Sequence, residues 1–300
     1  MNAEQISNRP VALVTGASRG LGRALARALA ADGWQLVITS RGGAELATAE
    51  AELAELTTVV ALAGSIVDDD HRARLASAAA ALGGARLLVN NAGTLNGADA
   101  AGADGSCEPL PRLADFPLPE LLETFEVNVL APIALTQLVL PQLRAHTGDV
   151  LNISSDAAAV AYEGWGGYGA SKAALDLASA VLAVEEPELR VWAVDPGSMR
   201  TRMLQEASPG EDISGEPLPE EVAPALLTLV RDRAASGRYR ASELLADRVG
   251  PAGAVTAGPD LAGPTPAGPT PAAEAPGHAF AEAPVGAVPL AASSARRGDR

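Results

Sequence analysis

The chain has 300 residues, 48% of them apolar, with a single cysteine and a formal net charge of −15. That apolar content is enough for a sizeable core, and the acidic balance excludes a general nucleic-acid partner, because phosphate-backbone binding relies on clustered Lys and Arg. Cys107 alone permits no intrachain disulfide. "MNAEQISNRP" has no apolar leader and no run nears the ~18 apolar residues of a membrane span, so we expect a cytoplasmic protein without a membrane partner.

The first predicted element is an apolar strand, "VALVTG" (11–16), followed by a helix over 21–33 with Leu and Ala at helical spacing and Gly33 as its stop. The alternation continues with strand 34–40, helix 44–56, strand 58–64, helix 68–82 and strand 85–93. Helices within 119–145, strand 149–155, helix 168–186, strand 190–197 and helix 219–233 follow, and a short strand is predicted in 237–244. Continuously apolar strands separated by helices predict a mostly parallel, doubly wound α/β sheet of Rossmann-like type with helices on both faces, in one domain over 1–247. From Pro251 onward Pro, Ala and Gly dominate and no hydrophobic period survives, so 248–300 is expected to be a disordered tail. In such a sheet ligands bind at the carboxyl ends of the strands, which makes the residues ending each strand the first candidates.

Strand one runs into "TGASRGLG", Thr15 to Gly22, and directly into a helix. Glycines at 16, 20 and 22 allow backbone N–H groups and the helix N-terminus to approach a pyrophosphate. Strand two ends "ITSRGG", with no acid to bind ribose hydroxyls and with Arg41 available for a 2′-phosphate; Arg19 is a second cation within the glycine turn. These two arginines on an acidic protein favour NADP(H) over NAD(H). Further on, "SSDAAAVAYEGWGGYGASK" (154–172) places Lys172 four residues after Tyr168, one helical turn away on the same face. A phenol titrates near pH 10, and a neighbouring ammonium is expected to lower that value so that Tyr168 can exchange a proton near neutrality.

The glycine turn, "NNAG" (90–93), Asn128 in "FEVNVLAP", the Ser ending "NISS", "YGASK" and "DPGSMRT" (195–201) occur in one order over about residues 10–245. In that order they resemble the compact branch of the short-chain dehydrogenase/reductase family. The resemblance implies an oxidoreductase that moves a hydride between NADP(H) and a small carbonyl or secondary-alcohol substrate. It assigns catalysis to Asn128, Ser155, Tyr168 and Lys172: Tyr168 as acid/base, Ser155 orienting the carbonyl, Lys172 bonding the nicotinamide ribose and Asn128 holding a water that links Lys172 to solvent. Ser155 is chosen over Ser154 because it stands thirteen residues before Tyr168.

The resemblance also implies cofactor contacts from Gly16, Ser18, Arg19, Gly20, Leu21, Gly22, Arg41, Ser65, Ile66, Asn91, Ala92, Gly93, Tyr168, Lys172, Pro196, Gly197 and Thr201, and no metal. Ser65 stands where many relatives carry an Asp that meets the adenine, so that contact departs from the pattern. Family members pair the helices around Asn128 and Tyr168, which implies a homodimer or homotetramer. A cofactor-binding regulatory or scaffold protein on the same fold is the alternative, disfavoured by the retained Ser, Tyr, Lys and Asn. Substrate choice is expected in the insertion at 94–120, which contains Cys107, and in a lid-like segment at 199–220. Tyr162 and Trp165 are candidates for lining the substrate pocket, with apolar packing as the expected role.

Overall fold

The computed structural model describes residues 9–95 and 110–249, with side chains described as far as residue 246. The expectations for Cys107, the middle of the 94–120 insertion and the tail beyond Val249 lie outside the described residues.

Seven parallel strands form one sheet: β1 (Val11–Thr15), β2 (Gln35–Ser40), β3 (Val59–Ala63), β4 (Ala85–Asn90), β5 (Asp149–Ile153), β6 (Arg190–Asp195) and β7 (Gly237–Arg240). Their spatial order is β3-β2-β1-β4-β5-β6-β7, and every pairing is parallel. The order reverses between β1 and β4, so a crevice opens beyond the carboxyl ends of those two strands. Strands β1 and β5 are buried throughout, as their largely apolar sequences require, and β2, β4 and β6 are each buried at all but one position.

Helices α1 (Gly20–Ala31) and α2 (Gly43–Ala54) cover one face, joined late in the chain by α8 (Pro219–Asp232). Helix α1 buries Leu21, Leu25 and Leu29 at helical spacing and ends at Gly33, whose φ of +87° suits glycine; Trp34 N–H donates to Leu29 O at 3.0 Å across this stop. On the other face lie α3 (Asp69–Ala81), α5 (Ala131–His146) and α6 (Gly166–Glu185), with Leu75, Leu135, Val139 and Leu143 packed against Leu13, Leu88 and Val150. Asp68 caps α3 by accepting from His71 N–H at 3.1 Å.

Helix α4 (Leu118–Phe125) runs through a π-helical turn (Glu126–Leu130) into α5. By length and composition the stretch Leu118–His146 could cross a membrane, but its inner face is sunk in the core. Between the two faces a polar seam ties strands to helix: Asn90 Nδ2 donates to Asn152 Oδ1 at 2.8 Å, and Asn152 Nδ2 donates to Ser179 Oγ on α6 at 2.7 Å. Two elements differ from the sequence expectation. The last strand stops at Arg240 and becomes helix α9 (Ala241–Val249), because Ala241 and Leu244, three apart, both face the core as a helix allows. The lid-like segment contains a short helix, α7 (Arg202–Ala207).

Candidate active site

The carboxyl ends of β1 and β4 meet at the glycine turn. Gly16 and Gly20 have φ of +66° and +54°, a region that glycine enters without the cost of a Cβ. A Cβ on Gly22 would lie 2.2 Å from Gly16 O and 2.4 Å from Asn91 Nδ2, so only glycine lets the helix start this close to the turn. Asn91 braces that turn, donating through Nδ2 to Thr15 O at 2.9 Å and Gly16 O at 3.2 Å. Thr15 Oγ1 accepts from the Asn91 and Ala92 N–H groups, both at 3.0 Å. Ser18 and Leu21 are buried within the turn.

From the other side, Gly197 at φ +73° donates its N–H to Asp195 Oδ1 at 2.9 Å and carries the chain from Pro196 towards Thr201. The Thr201 methyl lies 3.7 Å from where a Gly20 Cβ would be, which brings the late Pro-Gly motif over the glycine turn. The cradle of small residues and positive-φ glycines suits a pyrophosphate at the N-terminus of α1.

At the end of β2, Arg41 is exposed and makes no ion pair among the described residues, while Arg19 pairs loosely with Glu45 at 3.5 Å, both about half exposed. Ser65 accepts at Oγ from Val67 N–H at 3.5 Å, and Ile66 is buried with its carbonyl taken by Arg72. His71, which the sequence reading passed over, is buried here. Its Nε2 lies 2.8 Å from Thr39 Oγ1, its ring fills the space beside Gly64, and burial holds its pKa below the usual histidine value, with Arg74 adding to the effect. No local sequence signal marks it: the close fit, with a Cβ on Gly64 lying 2.4 Å from the ring, arises only in the assembled fold.

The four predicted catalytic residues converge beyond β4 and β5. Tyr168 and Lys172 are buried on the first turns of α6, with Lys172 Nζ 5.5 Å from the centre of the Tyr168 ring and donating to Ile153 O at 2.8 Å. Ser155 follows β5; its Oγ donates to Asp156 Oδ1 at 3.0 Å and accepts from Ala157 N–H at 3.2 Å. Asn128, fully buried on the π-helical turn, donates to Thr94 O at 2.8 Å and to Ser171 Oγ at 3.0 Å, and accepts from Thr94 N–H at 2.9 Å. Gly93 sits between these groups, a Cβ there being 3.3 Å from Asn128 Oδ1 and 3.6 Å from Lys172 Nζ.

Electrostatics revise one expectation. Burial pushes the Tyr168 phenol well above its ordinary value; Asp195 and Asp156 add to this, and only the Ser155 hydroxyl works in the other direction. The expected lowering by Lys172 is not found: its ammonium stands over the ring, 5.5 Å from the centre, and removing the phenolate from water sets the direction. Burial brings Lys172 down to about 8, opposed by the Asp176 carboxylate.

Around Tyr168 the walls are apolar. Leu95 and Ala157 pack on it, with Leu110, Trp165, and Met203 and Ala207 from α7 alongside. Trp165 meets the Tyr168 ring edge-on at 5.7 Å between centres, while Tyr162 donates to Asp156 Oδ2 at 2.8 Å. Both line a neighbouring cleft of about 460 Å³ with Arg112, Ala157 and Gly169. The arrangement joins a phosphate-compatible turn to a protonated phenol, an adjacent ammonium and a hydroxyl. Such a set can deliver a proton to an oxygen developing negative charge.

The family model described as short chain dehydrogenase matches residues 10–212. The L-xylo-3-hexulose reductase of Hypocrea jecorina (strain QM6a) is 32% identical over 228 residues, 66% of this chain and 69% of that protein. Sepiapterin reductase of Rattus norvegicus is 34% identical over 209 residues, 65% of this chain and 76% of that protein. Among solved structures, an alcohol dehydrogenase from the archaeon Thermococcus sibiricus, complexed with 5-hydroxy-NADP, superposes with a TM-score of 0.68 at 26% identity, covering 78% of this chain and 96% of that one. A short chain dehydrogenase from Shigella flexneri 2a str. 301, complexed with NADP, gives 0.69 at 26% identity, covering 79% and 98%.

Proposed function

The chain belongs to the short-chain dehydrogenase family, and from that premise we propose that it is an NADP(H)-dependent oxidoreductase acting on a small carbonyl or secondary-alcohol substrate, with Tyr168 as acid/base. The observation that carries this reading is the convergence of Ser155, Tyr168, Lys172 and Asn128 beside the glycine turn, at the crevice where the strand order reverses. The turn from Gly16 to Gly22, together with Asn91, Ala92, Gly93, Pro196, Gly197 and Thr201, would hold a dinucleotide; when bound, that cofactor supplies or accepts the hydride. Ser65 and Ile66 stand by its adenosine end, where Arg41 and Arg19 favour a 2′-phosphate. The solved neighbours from Thermococcus sibiricus and Shigella flexneri, complexed with 5-hydroxy-NADP and NADP, support that preference.

This chain's own groups then divide the proton work. A phenol with a raised pKa stays protonated at neutral pH, the form needed to protonate a carbonyl oxygen. Ser155 Oγ turns its hydrogen from Asp156 to the substrate oxygen and orients it. Lys172, brought to about 8, carries a proton at neutrality yet releases one readily. Its charge stabilises the phenolate left after transfer. Asn128 fixes the Thr94 backbone and Ser171 beside Lys172, and the second lone pair of its Oδ1 is available to hold a water.

We also assign the exposed apolar residues of α4 and α6, Leu118, Leu122, Leu177, Val181 and Val184, to a homodimer or homotetramer interface.

The test is purified protein with NADPH or NADH and a panel of ketones, aldehydes, quinones and 3-oxoacyl thioesters, followed at the nicotinamide absorbance. Turnover of at least one carbonyl is expected, and Tyr168→Phe should lower it by about a hundredfold or more while NADPH affinity, read by fluorescence titration, stays unchanged. NADPH binding without any turnover would point instead to a regulatory protein on this fold. Activity surviving in Tyr168→Phe would show that the proton donor is another group.

A further inference from the structure

Ser155 lies on the chain that leaves β5, and Tyr168 lies on α6, two elements that meet at the site but are separate in sequence. A carbonyl oxygen must touch both hydroxyls, so their separation has to be held. The backbone of Ser155 is gripped from behind by a residue outside every motif noted above. Arg238, on β7, donates through Nη2 to the Ser155 carbonyl at 2.8 Å and through Nε to Asp176 Oδ2 at 2.8 Å. Asp176 is on α6, one turn beyond Lys172 and two beyond Tyr168. Both side chains are largely covered, at 21% and 15% exposure, so the ion pair is shielded from the solvent and salt that make exposed pairs weak. A planar guanidinium with two donors in a fixed fork can bridge a carbonyl and a carboxylate in one rigid unit, which a lysine cannot do.

On this basis, and resting on the proposed role of Ser155, we infer that Arg238 is a positioning residue: together with Asp176 it clamps the Ser155 backbone to α6 and so sets the spacing between the carbonyl-orienting hydroxyl and the proton donor. The sheet makes this possible. Arg238 pairs with Ala193 of β6, and its neighbour Tyr239 points to the opposite face, where it packs with the α8 side of the core. Arg238 is thereby turned to the face that carries α6. The other oxygen of Asp176, Oδ1, is buried and makes no hydrogen bond, and its carboxylate supports the charge of Lys172 one turn earlier. One acid therefore holds the clamp and sustains the ammonium.

The experiment is a double-mutant cycle on the full chain, with Arg238→Met, Ser155→Ala and the pair, using a carbonyl turned over by the wild type. If Arg238 acts through Ser155, Arg238→Met lowers kcat by about ten- to hundredfold with NADPH affinity unchanged, and costs nothing further in the Ser155→Ala background. Arg238→Lys recovers only part of the loss. Equal losses in both backgrounds, or full kcat in Arg238→Met, overturn the clamp. Full activity in Ser155→Ala overturns instead the role given to Ser155. Amide hydrogen exchange supplies a readout that needs no turnover: residues 156–162 should exchange at least about tenfold faster in Arg238→Met, with β6 unaffected. Unchanged exchange in that loop also overturns the clamp. Should Arg238→Met fail to fold, Arg238→Lys takes its place in both measurements, read against the same outcomes.

Discussion

At the level of single residues, the proposed preference for NADP(H) rests on charges that the protein leaves available. Arg41 has no ion-pair partner among the described residues, and the Arg19 to Glu45 contact at 3.5 Å joins two half-exposed side chains, a pair that contributes little. Both cations can therefore turn to a phosphate at small cost. A 2′-phosphate would gain charge-assisted hydrogen bonds from them, and a bare ribose hydroxyl would gain far less. Replacing Arg41 with Ala should weaken NADPH binding by about tenfold and leave NADH nearly unchanged, as measured by fluorescence titration with each. Equal weakening of both would show that Arg41 does not face the 2′-position. The same scale holds a pH signature. Lys172 has its pKa brought down to about 8 by burial, so the ammonium is lost as pH rises through that value, and carbonyl reduction should decline over the same range.

The elements show what could and could not be read from the chain. Strand and helix order were legible because apolar runs of strand length alternate with helical periods, and the site was legible wherever chemistry is bound to spacing: Tyr168 and Lys172 one turn apart, glycines at 16, 20 and 22. Contacts made across elements left no local trace. Nothing in "GRYR" marks Arg238 as reaching Ser155, and nothing in "DDDHRAR" marks His71 as filling the space beside Gly64. The direction of the Tyr168 shift was missed for the same reason, since burial is a property of the assembled site and spacing reports only the neighbouring charge. Helices α4 and α6 carry a further consequence. Leu122, Leu177 and Val184 are 70%, 68% and 81% exposed, and Leu177, Val181 and Val184 repeat at helical spacing as one stripe. Isolated exposed leucines are ordinary, but a stripe of this kind asks for a partner. Sedimentation velocity should find a dimer or tetramer, and Leu177→Glu combined with Val184→Glu should shift it to monomer; a monomeric wild type would remove the assignment.

Across the whole molecule the sheet separates function from stability. Its carboxyl edge carries the glycine turn and the proposed catalytic residues, and its amino edge carries a buried acid far from them. Asp149 begins β5, buried, with Arg233 Nη2 at 3.4 Å and one carboxylate oxygen without a hydrogen bond. Desolvation raises its pKa to about 6 from 3.8, against the pull of Arg233 and Arg190. Because the folded state holds this proton more tightly, it binds more protons than the unfolded chain between pH 4 and 6. Stability therefore falls as pH rises through that window, and the cost is fully present above it. The size follows from the shift, about 3 kcal/mol at most at 1.36 kcal/mol per unit. Asp149→Asn keeps the shape and removes the charge, so it should raise the melting temperature at pH 7 and flatten the pH dependence between 4 and 6, with turnover unchanged because the acid lies at the far end of β5 from Ser155. Thermal melts at several pH values decide it: an Asn variant less stable than the wild type at pH 7 would mean that the attraction of Arg233 and Arg190 outweighs the burial of the charge.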